Sequence, residues 1–234
     1  MTRLFQTIIH GGLGIILFIL LGLGLLVIST INRNKVYPYI AFLCKKMLGV
    51  LGVKLEVEGV FPKDEHSYIL MFNHSSFVEM FIVPYILNGQ KFTVVSAAKN
   101  MSIPLLGTLL RVLKAVPVSK GNTKKSITNL NKANKMLEEG YHLLIAPEGT
   151  RSLDGKLNKF KKGGFHMAID TKTKIVPVGL QGAYEFKPKK RWYLQPGIVK
   201  IKIGTPISVE LYDKKNITSL LEKVENEIRK LSGQ

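Results

Sequence analysis

The sequence predicts an α/β fold: a mostly parallel central sheet flanked by helices, preceded by an N-terminal membrane-embedded helical segment. Three observations carry this. Short apolar runs of strand length recur from Lys54 onward. Segments with helical spacing separate them, and strands that alternate with helices build parallel sheets covered on both faces. Ahead of them, Leu4 to Ile31 holds no ionisable side chain except His10.

The elements follow in chain order. From Ile8 to Ile31 a helix would extend roughly 35 Å, enough to cross a bilayer's hydrocarbon. Its length, and the absence of a small-x-small cleavage site, favour retention over removal as a signal peptide. His10 and the five glycines of the run weaken a plain spanning helix, and re-entry into one leaflet as half of a helical hairpin stays open. Residues 1–53 carry five Lys or Arg and no Asp or Glu. Arg33, Lys35, Lys45 and Lys46 follow the apolar run, which places the body of the chain on the cytoplasmic side of a membrane. Tyr37 and Tyr39 suit the bilayer interface, and lysines there attract anionic headgroups. Residues 1–53 are therefore read as membrane-associated helices, and residues 54–234 as the second domain.

Within that domain, residues 54–60 alternate with period two and end in turn residues, so they read as a strand. Residues 68–72 form a continuous apolar run, the pattern of a buried central strand. Residues 92–97, 115–118, 142–146 and 175–180 look alike. The strict alternation of 198–204 predicts a one-sided strand near a sheet edge. Helical spacing marks 124–139, and an amphipathic helix over 217–231 closes the fold.

Composition bounds the function. At 234 residues with 46% hydrophobic and 21% charged side chains, the chain has ample core for one domain plus an appendage. A net charge of +18 leaves an anionic membrane, nucleic acid or an acidic protein as partners on charge alone. The single cysteine, Cys44, excludes an intrachain disulfide and a cysteine-based zinc site. It reads as a buried thiol.

Two motifs carry chemistry. At the exit of the second strand, Asn73-His74-Ser75-Ser76-Phe77-Val78-Glu79 puts an acid five residues after a histidine. Five residues turn an ideal helix by about 140° net, so the pair meets only if His74 precedes a helix that Glu79 begins. Ser76 and Glu79 equally match a capping box, in which serine caps a helix and the acid returns to its N–H. By spacing, base-plus-acid and helix cap are both open. The second motif, Pro147-Glu148-Gly149-Thr150-Arg151-Ser152, leaves a strand through a glycine turn. It places an arginine suited to paired bonds with phosphate.

Together these blocks resemble the glycerolipid acyltransferase family, whose best-known members are the 1-acyl-glycerol-3-phosphate acyltransferases. Residues 73–79 look like its Asn-His-x-Ser-x-x-Asp block, and 147–152 match its acceptor-binding block. Lys99 with Ile103-Pro104-Leu105-Leu106-Gly107, then Phe160-Lys161-Lys162-Gly163-Gly164-Phe165, then Ile175-Val176-Pro177-Val178, follow in the family's order over about residues 54–206. Two positions depart. Glu79 stands for the family's aspartate, and Lys120 for an arginine, keeping charge but losing the planar fork.

The resemblance implies acyl transfer from a thioester, acyl-CoA or acyl carrier protein, to the free hydroxyl of lysophosphatidate, giving phosphatidic acid. His74 would be the general base and Glu79 its orienting acid. Lys120 and Arg151 would hold the acceptor's phosphate, with Glu148, Gly149 and Thr150 shaping the loop. No acyl-enzyme is implied, so Ser75 and Ser76 are not nucleophiles. His10, His66, His142 and His166 lack metal-ligand spacing, so neither metal nor cofactor is expected. The basic runs at 156–162 and 187–192 are read as a membrane-facing surface rather than a nucleic-acid site, since no nucleic-acid module accompanies them. An acidic acyl carrier protein would suit the same charge. The alternatives are an acyltransferase for another lyso-lipid or for glycerol 3-phosphate, and a non-catalytic basic membrane-anchored binder.

Overall fold

A computed structural model describes residues 2–119 and 123–234; Lys120 lies outside the described residues. The chain opens with α1 (Thr2–Gln6), a π-helical turn (Thr7–Gly11) and α2 (Gly12–Ile31). A 3-10 turn (Arg33–Lys35) reverses it into α3 (Val36–Val50). Then follow β1 (Val53–Glu58), β2 (Ile69–Phe72), α4 (Glu79–Ile86), β3 (Phe92–Ala97) and, past a 3-10 turn (Ala98–Ser102), α5 (Leu106–Val112). β4 (Val116–Val118), α6 (Thr123–Glu138), β5 (His142–Ile145), α7 (Gly163–Asp170) and β6 (Ile175–Gln181) come next, and α8 (Ala183–Phe186), β7 (Gly197–Ile203) and α9 (Ile217–Ser232) complete the chain.

Among the described residues seven strands form one sheet in the order β1-β7-β6-β2-β5-β3-β4. Of these strand pairings, β6–β7 is antiparallel and the others are parallel. The architecture is thus the α/β arrangement expected, a mostly parallel sheet between helices. β7 lies next to the edge strand β1, and its buried residues Val199 and Ile201 sit two apart, as the strict alternation requires.

Period-two geometry divides the core between the two faces of the sheet. Leu70 and Phe72 of β2 join one cluster with α3 and α4, through Ile40, Leu43, Phe81 and Ile82. Ile69 and Met71 face the other, with Phe165 of α7 and Leu220, Val224 and Ile228 of α9. Every residue of β2 is buried, and each large side chain so placed contributes roughly 1.5–3 kcal/mol of transfer free energy.

The N-terminal hairpin belongs to this packing. α3 buries Ile40, Leu43, Cys44, Met47 and Leu48 against the sheet side. α2 lies along α3 and α5: Leu25 is buried, the Tyr39 hydroxyl donates to the Leu21 carbonyl at 3.2 Å, and His10 Nδ1 meets the Val50 carbonyl oxygen at 2.7 Å. The other side of the helix, with Ile8, Ile15, Ile16 and Leu20, is exposed.

The connections position the site. From β2 the chain crosses by α4 to β3, beyond β5; from β5 it crosses the opposite face by α7 to β6, beyond β2. Adjacent strands whose crossovers diverge leave a crevice at their carboxyl ends, where α/β folds build sites. Both sequence motifs leave from those two strand ends.

Candidate active site

Loop residues 73–78 connect β2 to α4, and Glu79 is the first helical residue. That is the one arrangement in which a histidine and an acid five positions apart can touch. His74 Nδ1 is hydrogen-bonded to Glu79 Oε2. The other carboxylate oxygen, Oε1, accepts the Ser75 and Ser76 backbone N–H groups at 2.7 and 2.6 Å and the Ser75 hydroxyl at 3.1 Å. The Glu79 side chain is 1% exposed, while the His74 ring is 29% exposed. One oxygen of the acid folds the loop and the other orients the ring.

The capping box is therefore half formed. Glu79 returns to the Ser76 N–H, but the Ser76 hydroxyl donates to the Lys187 carbonyl at 3.0 Å instead of to the helix. Val78 occupies the cap position without a side-chain bond.

The second motif buttresses the first. Glu148 is buried. Its Oε1 accepts the His74 backbone N–H at 2.6 Å, and Oε2 accepts the Asn158 backbone and side-chain N–H groups at 2.9 and 2.8 Å. Burial raises its carboxyl above the ordinary range, opposed by these hydrogen bonds and by nearby His74. Ser152 N–H donates to the His74 carbonyl at 2.7 Å, so both main-chain groups of the histidine are held by the 148–152 loop.

Gly149 turns that loop at φ +67°, and a Cβ there would stand 2.7 Å from Lys161 Nζ. The left-handed backbone is what favours glycine, since the Lys161 side chain can swing aside. Thr150 and Arg151 are half-buried beside it; among the described residues no carboxylate pairs with Arg151.

His74, Glu79, Glu148, Gly149, Thr150 and Arg151 thus come together at one crevice mouth, and Lys120 lies outside the described residues. Sequence reasoning missed three supports. The Asn73 side chain bonds both the N–H and the carbonyl of Leu180, at 2.7 and 2.9 Å, tying β2 to β6. Asn158 holds Glu148. Lys187 enters through its carbonyl on Ser76. The asparagine ahead of the histidine carried a signal, being part of the motif; the other two contacts leave none in the sequence. Among the described residues no three His, Cys, Asp or Glu side chains gather closely enough to hold a metal ion.

Chemically, Nδ1 is committed to an acid, which leaves Nε2 of a partly exposed imidazole to exchange a proton with a bound hydroxyl. A cation from the neighbouring loop lies at the same mouth.

A family model described as Acyltransferase matches residues 54–181. A chloroplastic 1-acyl-sn-glycerol-3-phosphate acyltransferase of Arabidopsis thaliana is 29% identical over 178 residues, 75% of this chain and 49% of that protein. The 1-acyl-sn-glycerol-3-phosphate acyltransferase of Pseudomonas aeruginosa is 27% identical over 179 residues, 75% of this chain and 68% of that one. The match thus spans about half the length of the Arabidopsis relative. The crystal structure of the 1-acyl-sn-glycerophosphate acyltransferase PlsC from Thermotoga maritima superposes with a TM-score of 0.83 at 24% identity, covering 100% of this chain and 97% of that one. That likeness is one of fold.

Proposed function

The chain belongs to the acyltransferase family, and from that premise we propose that it moves a fatty acyl group from a thioester to the free hydroxyl of 1-acyl-glycerol 3-phosphate. The product is phosphatidic acid, and the donor is acyl-CoA or an acyl carrier protein. The observation that carries this reading is the Glu79–His74 hydrogen bond at the crevice mouth. The acid holds the proton on Nδ1 and stabilises the imidazolium, so Nε2 is the base.

As the acceptor oxygen attacks the thioester carbonyl carbon, Nε2 takes the hydroxyl proton. The tetrahedral intermediate collapses with cleavage of the C–S bond, and the thiolate leaves with the proton from Nε2. Ser75 and Ser76 have structural duties on Glu79 and Lys187, which agrees with direct transfer. Arg151, with Lys120 from the sequence reading, would hold the acceptor's phosphate. The likeness to 1-acyl-sn-glycerol-3-phosphate acyltransferases supports this acceptor.

The exposed apolar side of α2 supports seating in a membrane leaflet, and the Arg and Lys residues that follow the run favour the cytoplasmic one. Because the helix packs along the domain, this reading has it lie in one leaflet beside the domain instead of crossing.

The test is a membrane-fraction assay of labelled acyl-thioesters against lysophosphatidate, glycerol 3-phosphate and phosphate-free lyso-lipids, with His74→Ala as control. Transfer to lysophosphatidate that His74→Ala nearly abolishes is expected. Transfer only to phosphate-free acceptors, or full activity without His74, would sink the proposal.

A further inference from the structure

The basic segment after α8 reaches the same mouth by a route the motifs do not announce. β6 ends at Gln181, and Gly182 turns the chain at φ +89°, where a Cβ would stand 2.4 Å from the Ile198 carbonyl oxygen. Past α8 the main chain is stitched to the histidine loop. The Ser76 hydroxyl donates to the Lys187 carbonyl at 3.0 Å, and Ser76 and Pro188 form an antiparallel bridge. On the other flank, Ser152 holds the His74 carbonyl, which brings Arg151 beside the same loop. Two basic residues, 151 and 187, are therefore carried to the histidine loop from separate segments, each one residue or less from a contact to residues 74–76.

Their neighbours do not neutralise them. Among the described residues neither Lys187, Arg151 nor Arg191 has a carboxylate partner. Arg191 is occupied structurally: it donates to the Glu185 and Phe186 carbonyls and lies 4.5 Å over the Tyr193 ring. Lys187 is half-buried, with its ammonium turned onto the Pro188 carbonyl at 3.1 Å. Burial first, then the charges of Arg151 and Arg191, lower its pKa. A lysine held close to like charge and away from acid gains from an anion that joins it. Most of the other basic residues of its run, Lys189 and Lys190, are simply exposed.

We propose that Lys187 is a phosphate-binding residue of the active site, closing on the acceptor's phosphomonoester from the side opposite Arg151. The inference rests on the acyl-transfer reading above and deepens it by naming how the phosphate is recognised. The arginine supplies paired N–H donors in a plane, and the lysine a point charge on a remaining oxygen. A dianion set between them offsets both charges and places the acceptor's hydroxyl end toward His74.

The test compares Lys187→Gln, which keeps the Ser76 contact to the main chain, with Lys187→Arg and with Lys190→Gln as a surface-charge control. Two readouts are needed. In turnover, Lys187→Gln should raise KM for lysophosphatidate about ten-fold or more, the scale of a lost charged hydrogen bond. It should leave KM for the acyl donor and for a phosphate-free lyso-lipid unchanged. Lys187→Arg should restore most of the affinity, and Lys190→Gln should behave as wild type. A rise confined to the donor's KM would assign the residue to the donor's phosphate and overturn the proposal, as would equal effects of Lys187→Gln and Lys190→Gln. The second readout is equilibrium dialysis of labelled glycerol 3-phosphate, which needs no turnover. Binding weakened about ten-fold by Lys187→Gln would uphold the site even if no acyl transfer were found. No binding to the wild type, or binding indifferent to Lys187, would sink the site even in an active enzyme.

Discussion

Glu79 shows how one side chain resolves two readings that spacing left equal. A carboxylate has two oxygens: one collects three donors from Ser75 and Ser76, and the other faces His74. Glutamine at this position can keep its oxygen on the three donors, but its NH₂ then faces Nδ1. Nδ1 must accept, the proton moves to Nε2, and the base is lost while the loop is kept. Glu79→Gln should therefore fold with an unchanged denaturation midpoint and lose activity by about 10⁴-fold, the scale seen when a triad acid becomes an amide. Retention of activity would leave Glu79 as a loop-former only. His142 titrates a different property. It is 4% exposed; its Nδ1 accepts the Tyr68 N–H at 3.1 Å, and Nε2 meets Gln90 Oε1 at 2.9 Å. Protonating Nδ1 would set donor against donor. Burial lowers its pKa from 6.5 to about 4, against a smaller opposing pull from Asp64. The unfolded chain thus binds the proton first. The stabilisation is complete above pH 6.5 and is lost as pH falls from there toward 4, by roughly 3 kcal/mol in all. Urea midpoints measured across that range should fall, and fall less in His142→Gln; an equal slope in both would contradict this. The motif histidine and its acid were legible in the sequence because their chemistry is local. Lys187 was not, because its contact to Ser76 spans 111 residues.

At the scale of elements, the sequence is readable wherever one face must be buried. Continuous apolar runs mark β2, β5 and β6, which are covered on both faces, and alternation marks β7 beside the edge. The amphipathic spacing of α9 places Ile217, Leu220, Val224 and Ile228 in the core. Backbone approach is what the pattern cannot show. A Cβ on Gly179 of β6 would lie 2.3 Å from the Leu231 carbonyl carbon, so α9 ends directly on the strand. That end also fastens the site's outer loop: Gln234 Oε1 accepts the Leu157 N–H at 2.6 Å and its Nε2 donates to the Gly155 carbonyl at 2.8 Å. The next residue, Asn158, holds Glu148, which holds His74. Gly179→Ala must push the helix away, since it meets main-chain atoms of Leu231 and Ser232 and the Leu231 Cβ, none of which a rotamer can move. We expect a loss of about 1–3 kcal/mol, the usual cost of overpacking, read as a lowered urea midpoint, with reduced acyl transfer from the slackened loop. An unchanged midpoint would mean that α9 shifts at no cost and is not fixed by this contact.

For the whole molecule, the decisive relation is between the long apolar helix and the domain it precedes. From Arg3 to Ile31 it runs 29 residues, or roughly 43 Å, longer than a hydrocarbon core of about 30 Å. Hydropathy alone therefore allows a span. The fold argues otherwise, because the helix touches the domain along its length. Arg3 donates to the Tyr193 hydroxyl at 3.1 Å, Leu194 N–H donates to the Thr7 hydroxyl at 3.0 Å, and a Cβ on Gly22 would meet Leu105 at 3.0 Å. A transverse helix would draw the flank with α3 and α5 into the hydrocarbon, together with Lys45 and Lys46, which lack the means to leave water cheaply. A helix lying in one leaflet keeps its exposed apolar side in lipid and its N-terminal end, held to Tyr193 and Leu194, at the water boundary on the domain's own side, whereas a crossing helix carries that end to the opposite side. The lone cysteine makes this measurable. Cys44 is 2% exposed and its thiol is pushed up to about 12 by burial, so it should stay silent to a maleimide at neutral pH. A cysteine introduced at exposed Gln6, at the far end of the apolar helix, and another at exposed Ser208 as a marker for the domain, should both react with a membrane-impermeant maleimide in sealed vesicles that display the domain outward. If Gln6→Cys reacts only after detergent while Ser208→Cys reacts without it, the helix crosses the bilayer and its contacts with the domain do not persist in the membrane.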